Sequence, residues 1–425
     1  MKKVGRLTKL TQSDYAFSLF QKCMNIITGI LTISLINRYL GTTLKGEYEY
    51  ILNIVNVLSI ILGFGLHASY PYMKRNKMQN QLKSYLDIFF LQAMIYMLIG
   101  AAIVILTQEA VVAMAVILTV ARIANSQMQE IGVVEFIRFR QVLQIVSYLI
   151  DFLLTLVVYL FIPQNMHILL SVLAVKYVIY IVAYLLRCEY IPKPFQANCK
   201  IAGFLFRFGF FAMLTALLSE FNYSIDIIVM KRFLPFSEIG LYSVGSKLAQ
   251  YIWLIPDAFK EVLFSHTAKD DSINEIKEVM RINIFVTLVM ILVMLVLGKL
   301  IIFILYGAEY LDSYSITAVI FLGIPSMVIY KLLNPLYMAN GRQKTCFFTL
   351  LASVLINVML NFLVIPYYGK MGAAVSTVIS YTVCGMFFFI GFIKTYHLRW
   401  KDCLWIKKSD FSKLYKMACS MIKKS

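Results

Sequence analysis

The sequence predicts an all-α membrane protein: about twelve transmembrane helices in two pseudo-symmetric six-helix bundles, with both termini in the cytoplasm. Three observations predict it: more apolar residue than a soluble fold can bury, positive charge gathered in alternate loops, and an internal repeat. Of 425 residues, 60% are hydrophobic and 15% charged, and the mean hydropathy is +0.76. Soluble domains are nearer half apolar and a quarter charged, so lipid must cover what charge cannot. The 27 Tyr and 31 Phe suit membrane interfaces and packed bundles.

The spans follow from length. A helix needs about 20 mostly apolar residues to cross the hydrocarbon. That template fits 16–40, 48–71, 84–107, 110–133, 142–162, 167–187, 203–228, 239–263, 282–305, 314–338, 346–366 and 372–396. The first segment is too long for a signal peptide and lacks a small-residue cleavage site, so it reads as an uncleaved span.

Loop charge sets the orientation. A net charge of +18 would suggest nucleic acid in a soluble protein, but here its distribution follows the positive-inside rule and no nucleic-acid partner is expected. Lys2, Lys3, Arg6 and Lys9 precede span 1, and Lys74, Arg75, Lys77 and Lys83 follow span 2. Arg138 and Arg140 follow span 4; Arg187, Lys193 and Lys200 follow span 6. Lys260, Lys269, Lys277 and Arg281 surround the loop after span 8, and Arg342 and Lys344 follow span 10. The intervening loops at 108–109, 163–165 and 309–312 hold no Lys or Arg; Lys231-Arg232 is the main exception. An even count with cytoplasmic termini satisfies this alternation, so the chain reads as a multi-pass membrane protein. The tail 397–425 mixes Trp400, Leu404, Trp405, Phe411, Leu414 and Tyr415 with lysines and reads as a basic amphipathic segment on the anionic inner leaflet.

A shift of 194 residues aligns the end of span 1 with the end of span 7. Arg38-x-Leu40 and Gly46-x-Tyr48 match Arg232-x-Leu234 and Gly240-x-Tyr242. Gln21, Asn25, Thr28 and Thr32 form one polar helix face, and their partners are Thr215, Ser219, Asn222 and Asp226. Asn53 and Asn56 map onto Lys247 and Gln250. A repeat of the same hand implies two lobes related by an axis along the membrane normal, here 1–200 and 201–396, with the tail beyond.

Ionisable groups inside spans are costly and therefore informative. The cations are Lys22, Arg122, Lys176, Lys247 and Lys331; the acids are Glu49, Asp87, Glu130, Asp151, Glu220, Asp226 and Asp257. Lys247 is the foremost candidate, on a face shared with Ser243, Gln250 and Asp257. Lys22 adjoins the polar stripe beside Asn25, and Arg122 lies mid-span near Ser126 and Gln129. With basic groups in a lumen, Lys22, Asn25, Arg122, Lys247 and Gln250 would bind an anionic substrate, above all a phosphate. Asp151, Asp226 and Asp257 would either pair with such cations or bind a coupling ion. Seven Cys without a C-x-x-C pair and four dispersed His give no metal site, and no P-loop, zinc motif or nucleophile elbow occurs. Transport without a cofactor is the expectation, not catalysis.

Several stretches in a consistent order then resemble a known family. They are Ile225-Asp226-x-x-Val229-Met230; Ile239 to Leu248; Tyr306-Gly307-x-x-Tyr310; Asn340-Gly341-Arg342-x-Lys344; Asn357-x-x-x-Asn361-x-x-x-Ile365-Pro366-x-Tyr368-Gly369; and Gly372-Ala373-Ala374. Together they resemble the polysaccharide repeat-unit flippases (O-antigen and capsule type) of the multidrug/oligosaccharidyl-lipid/polysaccharide exporter superfamily. The motifs cover mainly 220–380. In the first half the Gly46-x-Tyr48 turn and the span layout match.

The resemblance implies two lobes around a cationic cavity and alternating access. Its substrates would be glycans on undecaprenyl diphosphate, moved to the outer leaflet, with membrane lipids and other polysaccharide-assembly proteins as further partners. A cation-coupled drug exporter or a lipid-linked peptidoglycan precursor flippase shares the fold. A membrane-embedded glycan polymerase would need a larger outer loop, and a major-facilitator carrier a different signature after span 2.

Overall fold

The computed structural model describes residues 2–76, 81–196, 198–253, 273–408 and 410. Eight helices among them are long and apolar enough to cross a membrane, and a bent pair would make a ninth. The chain divides into two compact units, Met1–Glu220 and Phe221–Ser425. The repeat places a lobe boundary at 200/201; the contacts divide the chain twenty residues later, within one helix.

The first unit opens with α1 (Lys2–Gly63), whose helical geometry fails at Gly41, with φ 62° and ψ −179°. Its apolar part, Phe20–Gly63, is 44 residues long. As one straight helix it would run about 66 Å at about 1.5 Å per residue, twice the roughly 30 Å of hydrocarbon. The break at Gly41 makes it two helices, corresponding to spans 1 and 2, with no loop between them. A left-handed φ costs glycine nothing, whereas a side chain there is strained. The break is held by its neighbours: Tyr39 donates from its hydroxyl to the Pro163 carbonyl (2.6 Å) and accepts from the Asn165 N–H (2.9 Å). Gln164 bonds the Leu40 carbonyl at 2.7 Å.

Span 2 was expected to reach residue 71, but the helix stops at Gly63. Phe64 (φ 49°) and Gly65 (φ 62°) turn left-handed, and a separate short helix α2 (Leu66–Arg75) follows. Gly65 lies against the Gly209 carbonyl, too close for a Cβ on either residue. Hydropathy alone reads through such a break because residues on both sides are apolar.

Next come α3 (Gln81–Thr107), α4 (Ala110–Glu135), α5 (Ile137–Phe161) and α6 (Met166–Cys188). The last is N-capped by Asn165, whose side chain accepts from the His167 N–H. One core joins Tyr39, Tyr48 and Ile51 of α1 to Leu118 of α4, Val158 of α5 and Tyr177 of α6. A second gathers Tyr70 of α2, Tyr85 and Phe89 of α3, Met128 of α4 and Tyr184 of α6.

Helix α7 (Cys199–Met230) ends at the Lys231–Pro235 loop, and α8 (Phe236–Gln250) runs into a 3-10 turn, Tyr251–Trp253. The rest of expected span 8, with Asp257, lies outside the described residues. Helix α9 (Ile273–Tyr306) starts nine residues before expected span 9; its first turns hold Asn274, Glu275, Lys277, Glu278 and Arg281, which a hydropathy window discards. Expected span 10 is two helices, α10 (Ser313–Ile320) and α11 (Ile324–Ala339), bent by 52°. The last long helix, α12 (Gln343–Tyr396), breaks at Gly369 (φ 57°, ψ −138°) into the counterparts of spans 11 and 12. A short α13 (Trp400–Leu404) follows.

Candidate functional site

A deeply buried polar site lies in the second unit. Asn222 and Asp226 are one turn apart on α7, so both face the same neighbours. Asp226 is 1% exposed, and a carboxylate in such a place is tolerable only when richly hydrogen-bonded. It accepts from the Tyr242 hydroxyl of α8 (2.6 Å), the Thr377 hydroxyl (2.8 Å) and the Asn361 amide (2.5 Å), the last two on the two helices of α12. Thr377 also lies 3.0 Å from Tyr242, and Asn361 donates to Asn357 at 2.9 Å.

One turn away, the Asn222 side-chain oxygen accepts from Ser353 and Ser380, each at 3.1 Å, and those serines are 2.8 Å apart. Spacing explains the gathering. Ser353, Asn357 and Asn361 recur every four residues, and Thr377 and Ser380 lie three apart, so each helix of α12 turns one polar stripe towards α7. Two buried amide atoms nearby, Asn222 Nδ2 and Asn361 Oδ1, have no hydrogen-bond partner among the described residues. A carboxylate, amide oxygens and hydroxyls are hard donors, suited to a proton or a small hard cation. No group of three His, Cys, Asp or Glu that could hold a metal occurs among the described residues.

A second cluster in this unit surrounds Lys331 of α11. Its ammonium sits 4.3 Å from the Trp253 ring centroid and 6.0 Å from that of Tyr223. The Trp253 ring also packs on Tyr223 (5.1 Å) and Tyr381 (5.7 Å). Aromatic faces stabilise a cation where water is scarce. Lys247 and Gln250 lie on partly exposed positions of α8, three residues apart, beyond the buried Ser243 and Ser246.

In the first unit, Lys22 is exposed and Asn25 partly buried. The α1 stripe bonds to α5 through Gln21 and Gln144 (2.9 Å). Arg122 of α4 instead meets α6, donating to the Tyr177 hydroxyl at 3.3 Å. Asp151 of α5 is joined to Lys176 of α6 at 2.8 Å, and the ammonium lies 4.0 Å from the Tyr148 ring centroid. Glu49 and Lys45 form another pair at 2.8 Å, both buried. Asp87 accepts from the Tyr190 hydroxyl and the Lys193 N–H, tying the loop after α6 to α3.

Sequence reasoning missed a buried lock in the tail. Arg281 of α9 grips Asp410 through two bonds of 2.7 and 2.8 Å and donates to the Asp402 carbonyl at 2.8 Å. The guanidinium beside it holds the Asp410 carboxyl below its ordinary range. Only the interruption of a basic tail by isolated acids hinted at this.

Two family models match. One described as "Polysaccharide biosynthesis protein" covers residues 46–315, and one described as "Lipid II flippase MurJ" covers 262–421. No curated protein sequence matches. Among solved structures, the lipid II flippase MurJ in an inward closed conformation superposes with a TM-score of 0.68 at 18% identity, covering 91% of this chain and 89% of its own. An inward-facing multidrug resistance MATE family transporter of the MOP superfamily gives 0.68 at 10% identity, with 87% and 94% covered. A eukaryotic MATE transporter gives 0.55 at 14% identity, with 94% and 97% covered. At these identities the likeness is one of fold.

Proposed function

The chain belongs to the polysaccharide biosynthesis protein family, and from that premise we propose that it flips undecaprenyl-diphosphate-linked oligosaccharide repeat units from the cytoplasmic to the outer leaflet. The observation that carries the reading is the meeting, on one chain, of a match to polysaccharide assembly and a match to a lipid-precursor flippase. A sugar head group cannot cross hydrocarbon unaided, since each unpaired hydroxyl costs several kcal/mol. Twelve spans in two lobes, both termini cytoplasmic, would offer a polar route by alternating access. Lys22, Asn25, Arg122, Lys247 and Gln250 are the side chains proposed to meet the diphosphate and sugar. Moving about two negative charges outward gains up to about 4–5 kcal/mol per 100 mV of inside-negative potential.

Asp226 is assigned to ion coupling rather than to substrate charge, because its bonds run to neutral groups. Asp151, bonded to Lys176, takes the charge-pairing role. The protein works in the bacterial cytoplasmic membrane.

The test is removal of the protein from cells that make a surface polysaccharide. Lipid-linked repeat units should accumulate in the inner leaflet, and Lys247→Glu with Lys22→Glu should not restore export. Unimpaired export by that double variant would overturn the cationic route. The lipid II flippase match favours a second reading, a lipid-linked peptidoglycan precursor as cargo. Accumulation of that precursor instead would select it.

A further inference from the structure

A groove of about 750 Å³ runs along the first unit between α3 and α4. On α3 it is lined from Phe89 to Ile105, and on α4 from Ala113 to Ala124. The α3 stretch spans about 24 Å at about 1.5 Å per residue. One leaflet of hydrocarbon is about 15 Å deep, half of the roughly 30 Å core. The groove therefore continues past the bilayer midplane, where an acyl chain anchored in one leaflet ends.

Small residues keep it open: Ala93, Ala101, Ala113, Ala121 and Ala124 line it, while Gly100 lets Val116 of α4 pack close against α3. A second groove of about 650 Å³ along α6 adjoins it at Ile117, which lines both. The end at Phe89, Phe90 and Pro194 lies beside Lys83 and Lys193, both exposed. The Lys193 N–H is pinned to Asp87 at 2.6 Å, and Lys83 lies 5.6 Å from the Tyr190 ring centroid. On the charge-derived orientation this basic end is cytoplasmic.

We infer that the α3–α4 groove is a docking site for the polyprenyl tail of a cytoplasmic-leaflet substrate, with its phosphates at the Lys83–Lys193 end. A long isoprenoid chain is the occupant because it must cross the midplane and can fill the groove's whole length. Lipid tails are as apolar as the groove, so hydrophobicity cannot select between them. Selection comes from packing: a methyl-branched chain fills the pits left by the alanines, and a straight chain leaves them empty. The inference rests on the reading of a lipid-linked cargo.

The full chain in nanodiscs, labelled with a diazirine-bearing long-chain polyprenyl phosphate, tests it. Adducts should map to peptides from 89–105 and 113–124. Undecaprenyl phosphate should compete at least ten-fold better than farnesyl phosphate or phosphatidylglycerol. An Ala101→Phe/Ala121→Phe variant that keeps its wild-type melting temperature should lose adducts at least five-fold, as should Ala93→Leu/Ala113→Leu. Adducts elsewhere, or equal competition by phosphatidylglycerol, would mean annular lipid only and overturn the proposal. Flipping in proteoliposomes separates the two readings. If the wild type flips no lipid-linked glycan, the cargo reading fails. If it flips long- and short-tailed carriers and the groove-filled variants do so equally, the docking site alone fails.

Discussion

The repeat sets Thr32 and Thr28 of the first unit opposite Asp226 and Asn222 of the second, yet the two pairs spend their hydrogen bonds differently. Thr32 bonds back to the Thr28 carbonyl at 2.8 Å and Thr28 to that of Met24 at 2.7 Å, so both are satisfied within their own helix. Asp226 and Asn222 reach out to α8 and to both helices of α12. The first unit keeps its charge elsewhere, as the buried Lys45–Glu49 pair, the partly buried Asp151–Lys176 pair and the Asp87 carboxylate. At this one stripe, two copies of one helical plan have thus diverged: one keeps its hydroxyls within its own helix, the other builds a carboxylate site with neutral partners. The difference teaches that a repeat predicts where polar groups stand, not what they do.

The largest expected effect comes from breaking the second half of that comparison. Asp226→Ala removes three hydrogen bonds to a carboxylate, from the Tyr242 hydroxyl, the Thr377 hydroxyl and the Asn361 amide, each worth about 1.5–3 kcal/mol. Thermal unfolding in detergent should show a loss of at least about 3 kcal/mol together with lost transport. Asp226→Asn keeps the shape and removes the charge; its amide oxygen can accept from Asn361 while its NH2 donates to the hydroxyl oxygens of Tyr242 and Thr377, so it should fold and still not couple. Transport intact in Asp226→Asn would reduce the site to a structural device.

In the first unit, Asp151→Ala or Lys176→Ala leaves one charge without its partner and should cost about 3 kcal/mol. The double variant Asp151→Leu/Lys176→Met should recover most of that in a double-mutant cycle. A double variant as unstable as the sum of the singles would show that the pair's ions act separately.

The tail lock gives a smaller, pH-dependent effect. The Asp410 carboxyl is held low by Arg281, so its contribution is complete above the ordinary carboxylate range. It is lost as pH falls through the lowered value. Amide protection factors over residues 400–410 should therefore fall on acidification in the wild type, whereas Asp410→Asn should be weakly protected at every pH. The smallest effect is expected for Thr32→Val, within about 1 kcal/mol, since its hydroxyl serves only its own helix. A loss comparable to that of Asp226→Ala would erase the contrast between the halves.

Much of the helical plan was legible because lipid simplifies the code. Expected spans 84–107, 110–133 and 167–187 fall inside α3, α4 and α6, since each is an unbroken apolar run bounded by polar turns. The polar stripe through Asn222 and Asp226 was legible from helical spacing. Its partners were not: Ser353 and Thr377 look like ordinary small polar residues, and Asn357 and Asn361 stand out only as part of a motif, until two helices of α12 bring them to α7. The α2 helix and the bend between α10 and α11 escaped because a backbone break within apolar sequence leaves hydropathy unchanged. Arg281 looked like loop charge, and only its partner 129 residues later shows why it is buried.

The loopless join at Gly41 has a practical consequence. Where the repeat gives the second unit a linker, Lys231 to Pro235, the first has a single residue, already gripped from both sides through Tyr39, Leu40 and Gln164. Such a joint has no slack. An epitope or reporter spliced beside Gly41 to map sidedness would prise the two helices from the α5–α6 turn and report on a broken protein. The 231–235 linker, exposed over Lys231 to Phe233, is the place to put it, so the topology of the first helical pair is best inferred from its counterpart.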